Sequence, residues 1–428
     1  MEVAGATQLG GGGRVSPLRD RAVLSLLVAE TVSHAGIGMT WVALPWFVLT
    51  TTGSPTRMGM VMAAELLPVA ILGIPAGAVV GRLGARRSMR TSDLARAVIM
   101  VVIPVLSLAG WLSFPTLLVL VLALGMFVAP YHSAQRVLLP QLVGEDERTV
   151  AQANALMQGS TRLATLLGPA LGGVLIAAFR AETVLFIDAG TYLVAWTLIT
   201  VGVPRARVDE DIEVETPRVL DGVRFLLKNR LLSRLTFGHT VTEMAFQGLF
   251  AALPVAVLVR YGGDPRLAGL FLASFGGGAV VGTIAVIPVV ARVAPLLLAG
   301  LSAALGCVFP WLLAFDPPPW LVATTLALVG LNNPFHIAPL NSVMTLRSPP
   351  ALRAQVLAAS FTIILIAGPL GLILAGPALE RFGPDPVFTA IAALATVGYG
   401  SAAIVCLGTW RRERAFTPVP ASGTPRGS

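Results

Sequence analysis

Charge is scarce in this chain. Of its 428 residues 12% are Asp, Glu, Lys or Arg, against 55% that are hydrophobic, and the mean hydropathy is +0.80. A soluble domain carries roughly a quarter charged residues, so the polar surface that a globular protein needs is missing. Lysine is nearly absent: Lys228 is the only one among 30 basic residues. Cysteine is scarce too. Cys307 and Cys406 each lie inside an apolar block, which leaves no disulfide framework and no metal-ligand spacing. The chain also lacks a G-x-x-x-x-G-K-[ST] loop, a nucleophile elbow and an H-E-x-x-H pattern. No bound nucleotide, cofactor or metal is therefore expected, and no enzyme activity. Energy for any work must come from an ion gradient or from the gradient of a substrate.

What is present is apolar sequence in long blocks. A bilayer-spanning helix needs about 20 apolar residues, at ~1.5 Å each across ~30 Å of hydrocarbon. Blocks of this size recur along the whole chain and predict an all-α membrane protein of about twelve helices. We place them at 20–50, 56–80, 88–112, 114–141, 150–179, 183–203, 233–260, 265–290, 294–315, 318–346, 351–379 and 384–408. Turn chemistry separates them, as at Thr52-Gly53-Ser54-Pro55, Gly262-Gly263-Asp264-Pro265, Asp316-Pro317-Pro318-Pro319 and Gly383-Pro384-Asp385-Pro386.

The basic residues are unevenly divided. With the N-terminus in the cytoplasm, 24 fall on that side and five on the other, namely Arg57, Arg180, Arg260, Arg266 and Arg381; Arg162 lies within a helix. This asymmetry predicts both termini inside. Arginines at helix ends are topology signals rather than a nucleic-acid face. Arginine, alanine and glycine usage points to a GC-rich bacterium and hence to its inner membrane. Residues 1–19 read as a disordered cytoplasmic tail and 409–428 as a second tail. The one long connection, 204–232, carries an acidic run at Asp209, Glu210, Asp211, Glu213 and Glu215, read as a solvated linker. An amphipathic segment, Val219 to Leu227, follows it and is expected on the cytoplasmic membrane surface. It divides the chain into bundles 20–203 and 233–408.

The two bundles repeat each other. Glu30-Thr31-Val32-Ser33-His34 is followed nine residues on by Ala43-Leu44-Pro45. His239-Thr240-Val241-Thr242-Glu243 is followed at the same distance by Ala252-Leu253-Pro254. Pro130-Tyr131-His132-Ser133-Ala134 matches Pro334-Phe335-His336-Ile337-Ala338, and Gly168-Pro169-Ala170-Leu171-Gly172 matches Gly368-Pro369-Leu370-Gly371. Duplicated helix bundles build transporters, with the substrate between the halves near the bilayer midplane.

Two motifs carry a family resemblance. Between helices 2 and 3 stands Gly77-Ala78-Val79-Val80-Gly81-Arg82-Leu83-Gly84-Ala85-Arg86-Arg87. It resembles the G-x-x-x-D-R-x-G-R-R pattern of the major facilitator superfamily, with Gly77, Arg82, Gly84, Arg86 and Arg87 matching. Gly81 stands at the aspartate position and Ala85 at an arginine position, and Asp93 and Arg96, read at the start of helix 3, offer charges nearby. Helix 5 has Ala164-Thr165-Leu166-Leu167-Gly168-Pro169-Ala170-Leu171-Gly172-Gly173, similar to the G-x-x-x-G-P-x-x-G-G motif of drug/proton antiporters. Gly168, Pro169, Gly172 and Gly173 would form a close, kinked helix contact suited to a hinge. Leu138-Leu139-Pro140-Gln141-Leu142-Val143, Ala153-Asn154-Ala155-Leu156 and Asp221-Gly222-Val223-Arg224-Phe225-Leu226 resemble the branch containing the enterobactin exporter and macrolide efflux proteins. The resemblance implies a secondary transporter that exports small hydrophobic or amphipathic molecules, with protons as the coupling ion. Its partners would be that small molecule, protons and the lipid bilayer, and a monomer is expected. Helix 4 has no counterpart of the intramembrane arginine that many drug/proton antiporters carry there.

Buried ionisable residues are costly, at least ~2.5–3.5 kcal/mol each on insertion scales, so those within the helices mark candidate sites. Glu30 lies about 15 Å into helix 1 and Glu65 about 13 Å into helix 2. Glu30 and His34 share a helix face, as do His239 and Glu243. These pairs are candidates to line a central cavity and carry protons, since histidine changes charge near neutral pH; the plain alternative is a pair of self-satisfying hydrogen bonds. Arg162 attracts an anionic substrate or pairs with Glu30 or Glu65. Trp41, Phe246, Asn332, Asn333 and His336 are substrate-cavity candidates. His132, Gln135 and Arg136 form a further polar cluster with Arg136 at the cytoplasmic end, and Asn341 extends the one on helix 10. An uptake carrier of the same fold and a non-transporting receptor or scaffold are the competing readings.

Overall fold

The computed structural model of the protein describes residues 20–73, 75–143, 147–204 and 219–416. Both ends of the chain and the acidic run from Asp209 to Glu215 fall outside these residues. Within them, twelve helices are long and apolar enough to cross a membrane: Arg21–Thr52, Pro55–Leu72, Ala85–Leu108, Phe114–Val143, Gln152–Ala178, Ala181–Gly202, Arg230–Arg260, Pro265–Val290, Pro295–Leu313, Pro319–Leu346, Gln355–Phe382 and Pro384–Ala415. We number them helix 1 to helix 12.

Their ends follow from local chemistry. Asp20, Ser54, Ser113, Asn229 and Asp264 accept hydrogen bonds from the first free backbone amides of helices 1, 2, 4, 7 and 8. Proline, which has no amide to leave unpaired, opens helices 2, 8, 9, 10 and 12. Gly53, Gly262, Gly263 and Gly383 take positive φ in the turns.

Three helices are less continuous than the apolar blocks suggested. The expected helix 56–80 ends at Leu72 and resumes as Pro75–Leu83, because Pro75 cannot continue the amide ladder. Helix 4 is interrupted at Phe127, where Pro130 removes an amide and crowds the carbonyl of Met126. Helix 9 is α-helical only from Pro295 to Gly306 and finishes as a 3-10 turn, Phe309–Leu313, that contains Pro310. Helix 12 instead overruns the expected end at 408 and continues to Phe416. Arg414 lies over Trp410 one turn back, and Glu413 pairs with Arg347 at the end of helix 10.

The amphipathic segment forms a helix, Val219–Lys228, docked against the start of helix 11. Leu226 is buried with Leu232, Leu235, Met344 and Val356, and Gly222 lies directly on the Gln355 backbone.

The buried side chains divide unevenly. One large cluster joins both halves and includes Phe47, Leu49, Met58, Leu253, Phe271, Leu372 and Leu379. It occupies the end of the molecule that holds the turns at 53, 262 and 383. At the other end the halves keep separate clusters, one with Leu26, Met89, Leu138 and Ile199, the other with Leu232, Leu340 and Val356.

Candidate transport site

Helix 1 carries Glu30 into the interior of the first half, where it is fully buried. Tyr131 Oη on helix 4 donates to Glu30 Oε1 at 2.8 Å. His34, one turn on, brings Nδ1 to 3.3 Å from Oε2 and 2.8 Å from the Glu30 carbonyl oxygen. Helix 3 adds Asp93 and Arg96, both buried and joined by an Nη2–Oδ1 contact of 2.7 Å. The Arg96 guanidinium lies over two rings, 4.3 Å from that of Tyr131 and 4.4 Å from that of Tyr192 on helix 6. Two cation–π contacts and an ion pair replace the water this group has lost.

Helix 6 contributes a further acid. Asp188 is fully buried, with the Thr40 hydroxyl donating to Oδ2 at 2.6 Å and Thr191 Oγ1 3.0 Å from Oδ1. Glu65 is half-buried on helix 2, within electrostatic reach of Asp188 and Tyr192. The first half thus gathers three acids around one arginine, with Glu65 beside one of them, Asp188.

The second half is built differently. Glu243 is half-buried and accepts from Gln247 Nε2 at 2.9 Å, with no ion pair among the described residues. It is not bonded to His239. That ring instead lies 6.2 Å from His336 on helix 10, which in turn lies 5.1 Å from Tyr399 on helix 12. His34 and His132 stand 6.1 Å apart in the first half. All four histidines of the chain therefore fall into two ring pairs, helix 1 with helix 4 and helix 7 with helix 10. Asn332 is buried and donates to the Ser302 carbonyl at 3.0 Å, whereas Asn333 is half-buried.

An aromatic group forms where the halves meet. Phe246 packs 4.6 Å from Phe250 and 5.1 Å from Phe275, and Trp41, 46% exposed, reaches across from helix 1 to 6.4 Å from Phe250. Arg162 and Arg136 are exposed, and neither has an ion pair among the described residues.

Glycines bring the backbones together along the seam. A Cβ on Gly168 would lie 2.8 Å from Gly38 Cα and 2.9 Å from the Ala35 oxygen, and one on Gly172 3.0 Å from Met39 Cα. Helix 5 is therefore pressed against helix 1 on one side. On its other side Gly173 meets Gly269 of helix 8, where an added Cβ would be 2.9 Å from Cα. The second half repeats this: Gly371 lies on Met244 of helix 7, and Gly376 meets Thr56 and Gly59 of helix 2. These contacts match Gly168 with Gly371 and Gly173 with Gly376. The register is three residues away from the glycine–proline alignment, which had matched Gly168 with Gly368. The shared proline dipeptide misled, because close approach is set by the glycines and not by the kink. Glu380 of helix 11 closes the same seam by accepting from Ser54 Oγ at 2.7 Å and the Thr56 amide at 3.0 Å.

Residues 26–372 match the model of the Major Facilitator Superfamily. The chain belongs to that family. Relatives within it include the multidrug efflux pump Tap of Mycolicibacterium fortuitum, 31% identical over 384 residues that span 86% of this chain and 92% of the pump. Macrolide efflux protein A of Streptococcus pyogenes is 21% identical over 85% of this chain and 91% of its own length. Among solved structures, a mutant of the nucleoside transporter NupG superposes with a TM-score of 0.78 at 12% identity, over 90% of this chain and 99% of that one. A bacterial homolog of the human lysosomal transporter Spinster gives 0.66 at 15% identity, over 92% and 95%. At such identities the structural likeness establishes the fold alone. The protein is a multi-pass plasma-membrane transporter of this superfamily and not an enzyme.

The superfamily loop motif has a local physical basis here. Gly84 takes φ +80° as the chain enters helix 3, a conformation that disfavours any side chain. Arg86 donates to the Thr200 and Val203 carbonyls at 2.6 and 2.8 Å, closing the end of helix 6. Arg82 and Arg87 are exposed, and Gly77 has open space around it. Asp93 and Arg96 do not serve this loop. Helix 3 begins at Ala85, not at 88, so Arg96 lies about 16 Å into the helix, inside the bundle. The bundle does hold a buried arginine against helix 4, but helix 3 supplies it. Asp188, Tyr192 and Tyr399 were not singled out from the sequence, and Tyr131 stood there only within the repeat; the signal available for Asp188 was an acid within Leu185-Phe186-Ile187-Asp188-Ala189-Gly190.

Proposed function

We propose that the protein exports small hydrophobic or amphipathic molecules by alternating access, as a proton antiporter. The observation that carries this reading is the buried group around Arg96. Three acids, Glu30, Asp93 and Asp188, share one fixed cation in a low-dielectric bundle, Glu65 adds a fourth acid beside Asp188, and the remaining charge is balanced by protons or by a bound cation. A structural scaffold has no use for that imbalance, whereas an antiporter uses it to exchange protons for substrate. The efflux function named for the Tap pump and macrolide efflux protein A supports the outward direction.

With both termini in the cytoplasm, as the arginine asymmetry favours, the shared core and the glycine seam face the outside. The described conformation is then inward-facing. Substrate enters between the halves toward Trp41, Phe246, Glu243 and Asn333, while His34, Glu65 and the Glu30 group exchange protons with the cavity. Breaking the Gly173–Gly269 and Gly59–Gly376 contacts opens the outer side, and Glu380 leaves the start of helix 2.

The test uses purified protein in liposomes with an imposed pH gradient, following hydrophobic dyes and macrolides with and without a protonophore. Accumulation that collapses with the gradient is expected. Accumulation indifferent to the protonophore would return the acids to a structural role and favour a facilitator.

A further inference from the structure

Asp188 combines features that no other acid among the described residues has. It lies about 10 Å inside helix 6, counted from Ala181, is fully buried, and has no cation within ion-pair distance among the described residues. Its partners are hydroxyls, Thr40 on helix 1 and Thr191 on its own helix. A hydroxyl serves either protonation state, donating to a carboxylate or accepting from an acid. Thr191 is suited to that exchange, because its Oγ1 also lies 2.7 Å from the Asp188 carbonyl oxygen. The hydroxyl proton can turn to that carbonyl and leave a lone pair for a protonated Asp188. Helix 1 makes room for the group at Gly36, where a Cβ would collide with both Asp188 Oδ1 and Thr191 Oγ1.

The charged and titratable groups facing Asp188 come from three helices. Helix 3 supplies Arg96 with its partner Asp93, helix 2 supplies Glu65, and helix 6 itself supplies Tyr192. Arg96 is central to the arrangement. Its guanidinium lies over the ring of Tyr131, whose hydroxyl binds Glu30, and over that of Tyr192, one turn from Asp188. The same guanidinium acts electrostatically on Glu30 and on Asp188. A proton gained by either acid leaves more of that positive field for the other.

We propose that Asp188 is a second proton-carrying residue of the transport cycle, coupled to Glu30 through the field of Arg96. The O–H bond made at the Asp188 carboxylate on loading is the bond broken on release, and the proton comes from and returns to cavity water by way of Glu65. This inference rests on the antiport reading above.

Infrared spectra of the purified full-length protein, recorded as pH is raised from about 5 to 9, report the C=O stretch of protonated carboxyls. One pH-dependent component is expected to vanish in Asp188→Asn and to shift in Thr40→Val, which keeps the carboxyl and removes a hydroxyl donor. The second variant keeps the question decidable if the first does not fold. A wild-type spectrum in which neither variant alters a pH-dependent component would overturn the assignment. In liposomes with ethidium as the probe, Asp188→Asn is expected to lower gradient-driven accumulation at least about tenfold, and downhill movement by no more than about twofold. Full accumulation in Asp188→Asn beside a protonophore-sensitive wild type rejects Asp188 alone. A wild type insensitive to the protonophore rejects antiport itself and Asp188 with it.

Discussion

The two halves share a plan of helices but not a plan of charge. In the first, Arg96 of helix 3 lies over the rings of Tyr131 and Tyr192, with Asp93, Glu30 and Asp188 around it. In the second, the corresponding helix 9 presents Gly306, on which the Tyr399 ring lies directly, and then breaks into a 3-10 turn. A buried guanidinium in one half is answered by a glycine and an aromatic ring in the other. The second half still keeps its histidine pair and Glu243, and contributes the aromatic residues Phe246, Phe250 and Phe275. Duplication thus preserved the backbone contacts while ionic chemistry gathered on one side. We read the first half as the part that handles protons and the second as the part that supplies most of the substrate-facing surface.

The sharpest break of this comparison is Arg96→Met. It leaves Asp93 buried without its cation, and such a loss costs about 3–5 kcal/mol. A marked fall in the thermal unfolding temperature in detergent is expected, partly restored by the double variant with Asp93→Asn. Tyr399→Phe, on the matching helix pair of the other half, removes no ion and should shift the unfolding temperature far less. The seam ranks second. Gly173→Leu and Gly376→Leu each force a side chain into a facing backbone, so each is expected to slow transport by at least about tenfold. Because the two contacts are equivalent, their effects should be similar, and distances between spin labels on the outer ends of the helices should lengthen in both. Third is Glu380→Gln, which replaces the charged cap of helix 2 across the seam. The same label distances should shift toward the open state, by less than in the glycine variants, and Ser54→Ala should have a smaller effect in the same direction. Smallest is Arg82→Ala, since that side chain is exposed; unfolding temperature should be unchanged, and any effect should appear in transport rate.

Much of this architecture was legible in the sequence. Twelve spans follow from blocks of apolar residues, and the turns were marked by glycine and proline. The equivalence of helices 1 and 7 needed no gap. Breaks after Leu72, at 127 and at 307–313 were less visible, because a proline inside an apolar run reads equally as a kink or as an end. The site was legible only in part. Glu30 with His34 was found because spacing of four on one helix is a local signal, and the structure brings those two side chains together. His239 with Glu243 has the same spacing, yet Glu243 turns to Gln247 and His239 to His336. Tertiary partners decide which way such residues point. Asp188 and Tyr192 escaped notice because their meaning depends on Arg96, and Arg96 was read at the start of helix 3, as a charge near the loop motif, because that helix was started three residues late.

The measurement that tests the account most directly compares wild type, Glu30→Gln and Glu243→Gln in proteoliposomes under one imposed pH gradient, with dye accumulation as the readout. Accumulation in the wild type is expected to be abolished by a protonophore. Glu30→Gln is expected to lose gradient-driven accumulation with downhill movement retained, and Glu243→Gln to change apparent substrate affinity with coupling retained. Gradient-driven accumulation that survives intact in folded Glu30→Gln protein, or that is lost only in Glu243→Gln, would contradict it.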